Sequence, residues 1–288
     1  MAWFQLNFFS QCLSRPVNVQ VLLPADMPFP TNGNGAAAQP FKTLYLLHGY
    51  MGGSGDWLLN APVNELSQQY GLAVIMPPGD NGFYVDQPTS GVRGGEFIGR
   101  ELVEYTRSIF PLSTRREDTL IGGLSMGGYG ALRNGLRYSE VFGHVIGLSP
   151  AIATDVCKNA TDEINPMGIN RRYYERLFGN LDKVEEGEVS LRWLARELLA
   201  QGAGLPDVYF ACGYQDMLSH SSRDLHRYWQ TIGFPHTYEE GPGSHEWAFW
   251  RLFLRRGLTH ALGEPPHTFA APFTTDNYDP EFDVIGRG

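Results

Sequence analysis

The sequence predicts an α/β protein with a mostly parallel central sheet and helices on both faces. Three observations carry that expectation. Apolar runs at residues 43–47, 72–76 and 141–148 are continuous rather than alternating, the mark of strands buried on both faces. Stretches of helical period, at 57–70 and 97–110 among others, fall between the predicted strands. Residues 119–130, Thr-Leu-Ile-Gly-Gly-Leu-Ser-Met-Gly-Gly-Tyr-Gly, read as a short buried strand that breaks into a tight turn and continues as a helix.

A chain of 288 residues is long enough for one such domain. Net charge is −9 and the pI about 5.4, which argues against a nucleic-acid partner and against an anionic membrane surface. The three cysteines, Cys12, Cys157 and Cys212, are widely spaced, form no Cys-x-x-Cys pair and read as reduced, inert thiols. The first residues carry neither a basic start nor a long apolar core, and no run approaches the ~20 apolar residues that span a bilayer. A cytoplasmic protein is expected.

Residues 4–23 read as two strands. Phe8 and Phe9 end the first, and Val17-Asn18-Val19-Gln20-Val21-Leu22-Leu23 forms the second. Residues 24–40, rich in Pro, Gly, Asn and Ala, read as an exposed connection. The run 43–47 passes straight into His48-Gly49-Tyr50-Met51-Gly52-Gly53. A helix is expected over 57–70 and a strand over 72–76, ended by Pro77-Pro78-Gly79-Asp80. Residues 81–95 then form a candidate wall of the site, because loops at the carboxyl ends of parallel strands carry function. Residues 97–110 put Ile98, Leu102, Tyr105 and Ile109 on one helical face. After 141–148, closed by Ser149-Pro150, the pattern changes. Residues 151–205 hold polar turns, an Arg171-Arg172-Tyr173-Tyr174 patch and one amphipathic helix over 190–199. They read as a small insertion near the active site, a partial lid, with ordinary crossover structure on the back face as the competing reading. A strand over 207–212 leads to Gly213-Tyr214-Gln215-Asp216, and a helix follows over 220–232. The last core strand, 237–240, leads to Gly241-Pro242-Gly243-Ser244-His245. The final helix is expected over 247–262. The division is a single domain over 1–262 and an extended C-terminal tail over 263–288.

Gly123-Leu124-Ser125-Met126-Gly127 fits a nucleophile elbow, Gly-x-Ser-x-Gly. A serine on a sharp strand-to-helix turn has a strained backbone, and the residues two before and two after it approach so closely that they must lack bulk. The helix that follows aims its amides at any anion formed beside the serine. An ordinary serine in a glycine-rich turn is the alternative. In the loop after residues 43–47, Gly49, Gly52 and Gly53 would let the backbone turn its amides inward. Tyr50 N–H and Met126 N–H are the candidate oxyanion donors. His48, just before that loop, is expected to brace backbone.

A serine hydroxyl needs a base within reach and a carboxylate to fix that base. Candidate acids after Ser125 are Asp155, Asp162, Asp182, Asp207, Asp216 and Asp224, with a few glutamates. Candidate bases are His144, His220, His226, His236, His245, His260 and His267. Only Asp216 and His245 each sit in a loop directly after a predicted core strand, and they complete the order Ser…Asp…His. Singly, Asp216 could cap a helix and His245 could be a helix-entry histidine.

Together, Leu46-Leu47-His48-Gly49, the run from Gly122 to Leu132, Cys212-Gly213-x-x-Asp216 and Pro242-Gly243-Ser244-His245-Glu246-Trp247 resemble the esterase D-like group of α/β-hydrolases. That group holds tributyrin-type esterases, S-formylglutathione hydrolases and feruloyl esterases. The resemblance spans roughly residues 5–262 and looks closest to the tributyrin esterase branch, partly through Phe8-Phe9-Ser10-Gln11-Cys12-Leu13. It implies the α/β-hydrolase fold, with Ser125 as nucleophile, Asp216 as acid, His245 as base, and Tyr50 and Met126 as oxyanion donors. The loop at 24–40 looks enlarged, and the tail has no counterpart in the group.

The expected activity is serine carboxylesterase cleavage of short-chain acyl esters through an acyl-enzyme, with no metal or organic cofactor. Feruloyl or acetyl esterase action on plant-cell-wall esters is a rival, with Trp57, Tyr84, Tyr173 and Trp247 as candidate stacking residues. An S-formylglutathione hydrolase-type thioesterase, an acyltransferase and an inactive hydrolase-fold binding module are the others. The partner is a small-molecule ester, and a homo-oligomer is left open.

Overall fold

The computed structural model describes residues 1–25, 40–202 and 204–266, and the backbone of 284–287. Nine strands form one sheet: β1 (Ala2–Ser10), β2 (Arg15–Leu23), β3 (Lys42–Leu47), β4 (Leu72–Met76), β5 (Thr119–Leu124), β6 (His144–Leu148), β7 (Asp207–Gly213), β8 (Thr237–Gly241) and β9 (Val284–Arg287). Their spatial order is β1-β2-β4-β3-β5-β6-β7-β8-β9. The inner strands β4, β3, β5, β6, β7 and β8 are parallel. β1, β2 and β9 add on antiparallel.

Among the described residues ten α-helices accompany the sheet: α1 (Asp56–Asn60), α2 (Val63–Tyr70), α3 (Gly94–Glu96), α4 (Leu102–Ile109), α5 (Met126–Arg137), α6 (Ala153–Val156), α7 (Arg171–Phe178), α8 (Leu191–Gln201), α9 (Ser219–Thr231) and α10 (Trp247–Leu262). Two apolar clusters lie on opposite faces of the sheet. On β3, Tyr45 and Leu47 join one, with Leu102, Leu132, Leu194 and Leu225 of α4, α5, α8 and α9. Leu44 and Leu46 join the other, with Trp57, Leu66 and Phe253 of α1, α2 and α10. This two-residue alternation between two apolar faces explains why the strands read as unbroken apolar runs. Each fully buried large side chain contributes roughly 1.5–3 kcal/mol of transfer free energy.

The helix expected over 57–70 is two helices. Ala61 precedes Pro62 and is extended, as the proline ring requires of the residue before it, so α1 stops there and α2 restarts beyond the proline. The segment read as one helix over 97–110 opens with a π-turn at Phe97–Glu101 before α4 begins. β6 is shorter than the run 141–148, because Val141 and Phe142 turn back onto Tyr138 O.

Residues 151–205 divide in two. α8 is a crossover helix between β6 and β7, packed beside α5 and α9. Ser190 caps it by accepting from Trp193 N–H. The stretch at 165–173 instead reaches the loops at the carboxyl ends of β3 and β4: Tyr50 Oη donates to Met167 O at 3.2 Å, and Tyr173 Oη to Asn81 O at 2.6 Å. The connection at 24–40 falls mostly outside the described residues, as do 267–283 of the tail, His267 included. Within the tail, β9 is a strand paired to β8, which aperiodic sequence did not suggest.

Candidate active site

The loops that follow β3, β4, β5, β6, β7 and β8 all leave the same, carboxyl-terminal edge of the parallel strands. β5 delivers Ser125, which sits at φ 55°, ψ −118° as the residue entering α5. Such a conformation costs a non-glycine residue of order 1–3 kcal/mol. Three backbone hydrogen bonds hold it there: Ser125 N–H to Leu148 O at 2.8 Å, Tyr129 N–H to Ser125 O at 3.0 Å, and Ala151 N–H to Ser125 O at 3.0 Å. The flanking glycines are required by contact. A Cβ on Gly123 would stand 2.4 Å from Gly127 O, and one on Gly127 would stand 2.5 Å from both Leu47 O and His48 O.

The loop after β7 carries Asp216 and the loop after β8 carries His245. Tyr214 N–H donates to Gly241 O, Gln215 N–H to Gly243 O, and Gly243 N–H to Gln215 Oε1, so the two loops are fastened along their length. Gly213 is what lets them approach, since a Cβ there would lie 2.2 Å from Gly243 O. His245 Nδ1 lies 2.9 Å from Asp216 Oδ2 and 3.2 Å from Oδ1, and His245 Nε2 lies 2.9 Å from Ser125 Oγ. An ionised carboxylate only accepts, so Nδ1 carries the proton and the Nε2 lone pair faces the serine hydroxyl. Burial alone would raise the Asp216 pKa. Hydrogen bonds from His245, the Leu218 amide and Ser149 outweigh it and hold the carboxyl below its ordinary value.

Met126 is the first residue of α5, so its N–H is one of the amides the helix leaves unpaired. The Tyr50 loop lies against the serine: a Cβ on Gly49 would stand 3.5 Å from Ser125 Cβ. The neighbouring Met51 N–H is fixed by Asn81 Oδ1 at 2.8 Å. His48 is fully buried and braces this loop. Its Nδ1–H donates to Gly49 O at 2.7 Å, and its Nε2 accepts from Gly79 N–H at 2.8 Å. Burial lowers its pKa and keeps it neutral, as that pair of bonds demands.

The four candidate stacking residues separate. Trp57 is 1% exposed and donates Nε1–H to Leu47 O, and Tyr84 is 2% exposed and donates to His48 O. Neither offers a face to a substrate; both are corrected to supports of the loop that follows β3, drawn inward because each ring has a buried carbonyl to satisfy. Trp247 is half-buried, edge-on to Trp57 and Trp250. Tyr173 is half-buried and edge-on to Tyr50 at 6.0 Å, beside the site.

Several of the other candidate histidines and acids pair away from Ser125. Asp207 lies between His144 and His260 at the amino ends of β6 and β7. His226 and His236 bond each other under α9, and His220 pairs with Asp224. Ser149 and Trp250 were not anticipated, whereas Asn81 opens the 81–95 stretch expected to wall the site. Ser149 follows β6, and the polar residue closing a core strand on the catalytic edge was the signal available for it. Cys12, Cys157 and Cys212 are buried and unpaired, and burial raises their thiols to about 12, 11 and 12. Among the described residues no group of three or more His, Cys, Asp or Glu is arranged to hold a metal, and no helix is long and apolar enough to cross a membrane.

Residues 10–261 match the Esterase family. The chain belongs to that family. An acetyl esterase of Caldicellulosiruptor saccharolyticus is 39% identical over 254 residues, covering 88% of this esterase and 96% of the relative. Among solved structures, the fluorophosphonate-binding serine hydrolase FphF of Staphylococcus aureus superposes with a TM-score of 0.78 at 29% identity, over 91% of this chain and 98% of that one. The S-formylglutathione hydrolase FrmB of the same organism gives 0.76 at 30%, over the same 91% and 98%. A ferulic acid esterase at 21% identity and a TM-score of 0.69 shares the fold alone. The esterase therefore has the α/β-hydrolase fold and is a serine hydrolase of carboxylic ester bonds.

Proposed function

We propose that this esterase hydrolyses short-chain acyl esters, with Ser125 as nucleophile, His245 as general base and acid, and Asp216 as the carboxylate that orients it. The observation that carries this reading is the pair of 2.9 Å contacts on the two nitrogens of His245, one to Ser125 Oγ and one to Asp216 Oδ2. In the proposed mechanism Nε2 takes the serine proton as Oγ attacks the ester carbonyl. The Tyr50 and Met126 amides receive the oxyanion, each such donor being typically worth about 3 kcal/mol. His245, now protonated, gives its proton to the leaving alcohol. It then activates the water that releases the acid and frees Ser125. The kinship with an acetyl esterase supports a small acyl group. Tyr50, tied to Met167, and Tyr173, tied to Asn81, crowd the oxyanion side and support the same preference. The stretch at 165–173 is proposed as the lid-like part of the insertion. Three buried, unpaired thiols support a reducing, cytoplasmic location, checked by cell fractionation.

The second reading, thioester hydrolysis, rests on the 30%-identical S-formylglutathione hydrolase. One panel decides: p-nitrophenyl acetate, butyrate and octanoate beside methyl ferulate and S-formylglutathione, with Ser125→Ala as control. Dominant turnover of acetate or butyrate that disappears in Ser125→Ala is the expected result. A preference of tenfold or more for the thioester or the ferulate would replace the substrate assignment. Near-normal turnover by pure Ser125→Ala would remove the nucleophile.

A further inference from the structure

The segment that leaves β6 is bonded to Ser125, to β7 and to Trp250. Leu148 O accepts from Ser125 N–H, and Ala151 N–H donates to Ser125 O, at 2.8 and 3.0 Å. Between them, Ser149 N–H donates to Ala211 O of β7, the strand that leads to Asp216, at 2.7 Å. Its side chain is fully buried. An indole N–H can only donate, so Trp250 Nε1–H gives its proton to Ser149 Oγ, at 3.1 Å. Ser149 is also one of the groups that hold the Asp216 carboxyl below its ordinary value. The same indole stands perpendicular to the His245 ring, centroids 5.0 Å apart at 89°. Ser149 also sits at φ 43°, where glycine would be at ease and serine is strained. What glycine would lack is the hydroxyl.

We propose that Ser149 is a positioning residue for ester hydrolysis: its hydroxyl accepts from the Trp250 indole and so holds that ring edge-on against His245, keeping the imidazole oriented toward Ser125. This rests on the triad reading above.

The test uses Ser149→Gly, Ser149→Ala and Trp250→Phe in the full chain. Gly relieves the backbone strain while deleting the hydroxyl, so fold and positioning are read apart. Trp250→Phe keeps a ring against His245 and deletes the N–H. With p-nitrophenyl acetate, each Ser149 variant is expected to lose kcat about tenfold with KM within about twofold. Trp250→Phe should lower kcat in the same direction by less, and fluorophosphonate labelling of Ser125 should slow in parallel. A Ser149→Gly enzyme with wild-type kcat overturns the positioning role, provided Ser125→Ala is dead. Turnover surviving in Ser125→Ala would instead sink the triad reading and this inference with it.

Discussion

Replacing Gly127 by alanine tests how tightly the nucleophile elbow is built against the loop beside it. The added methyl would lie 2.5 Å from Leu47 O and 2.5 Å from His48 O. A carbon and a carbonyl oxygen normally keep at least about 3.3 Å apart, so the two segments must separate by most of an ångström. Both acceptors are backbone at the end of β3, with no side chain to swing away, and His48 is itself fastened to Gly49 and Gly79. Overpacking of this kind typically costs about 1–3 kcal/mol. The kinetic effect should be larger, because the separated segments carry Tyr50 N–H and Ser125. A misplacement near 1 Å can cost about a hundredfold in rate. Gly53→Ala in the same loop is the control, since its Cβ would meet nothing within 4 Å. The assay is kcat and KM on p-nitrophenyl acetate beside urea melts of both variants. The expected pattern is Gly127→Ala folded, weakened and about a hundredfold slower, with Gly53→Ala within about twofold of wild type. Wild-type kcat in Gly127→Ala would refute the argument that the elbow and the Tyr50 loop share one fixed geometry.

Two further outcomes follow from buried histidines. His236 Nδ1–H donates to Phe234 O and its Nε2 accepts from His226, so both rings are held neutral, and burial takes His236 down to about 4. The unfolded chain, with an ordinary histidine near 6.5, binds more protons between those values. Stability is therefore intact above about pH 6.5 and lost as pH falls toward 4, by up to about 3 kcal/mol. Urea midpoints at pH 7, 6 and 5 should fall in step, and His236→Gln should flatten the curve; an unchanged slope would exclude this histidine as the cause. His48→Ala leaves Gly49 O and Gly79 N–H without their shared partner, which should cost about 2–4 kcal/mol and slow turnover by loosening the Tyr50 loop. Retention of both the melting midpoint and kcat would show that the bridge is dispensable.

The parts of the molecule that were legible in the sequence are those where local pattern and tertiary role coincide. The inner strands declare themselves because both faces are apolar. Ser125, Asp216 and His245 could be picked from many candidates because each follows such a strand, and the structure does bring those three side chains together. The break between α1 and α2 was also local, written in Pro62, and was passed over because the apolar spacing runs across it. Trp57 and Tyr84 were misjudged for a different reason. An aromatic ring near the site in sequence can face the cleft or satisfy a carbonyl behind it. Which happens is decided by Leu47 O and His48 O, whose exposure no pattern encodes.

Ser149 marks the same limit more sharply. Its bonded neighbours in space, Ser125, Ala211 and Trp250, are spread over about half the chain and come by way of β5, β7 and β8. As a dipeptide, Ser149-Pro150 says only that a strand has stopped. Its role exists because parallel strands place all their carboxyl ends on one edge, so the residue that closes the strand between nucleophile and acid is compelled to lie beside both. That topological consequence can be drawn from sequence once strand order is known. The four residues that follow each inner parallel strand are therefore where positioning groups of this esterase are to be sought, whatever local propensity says of them.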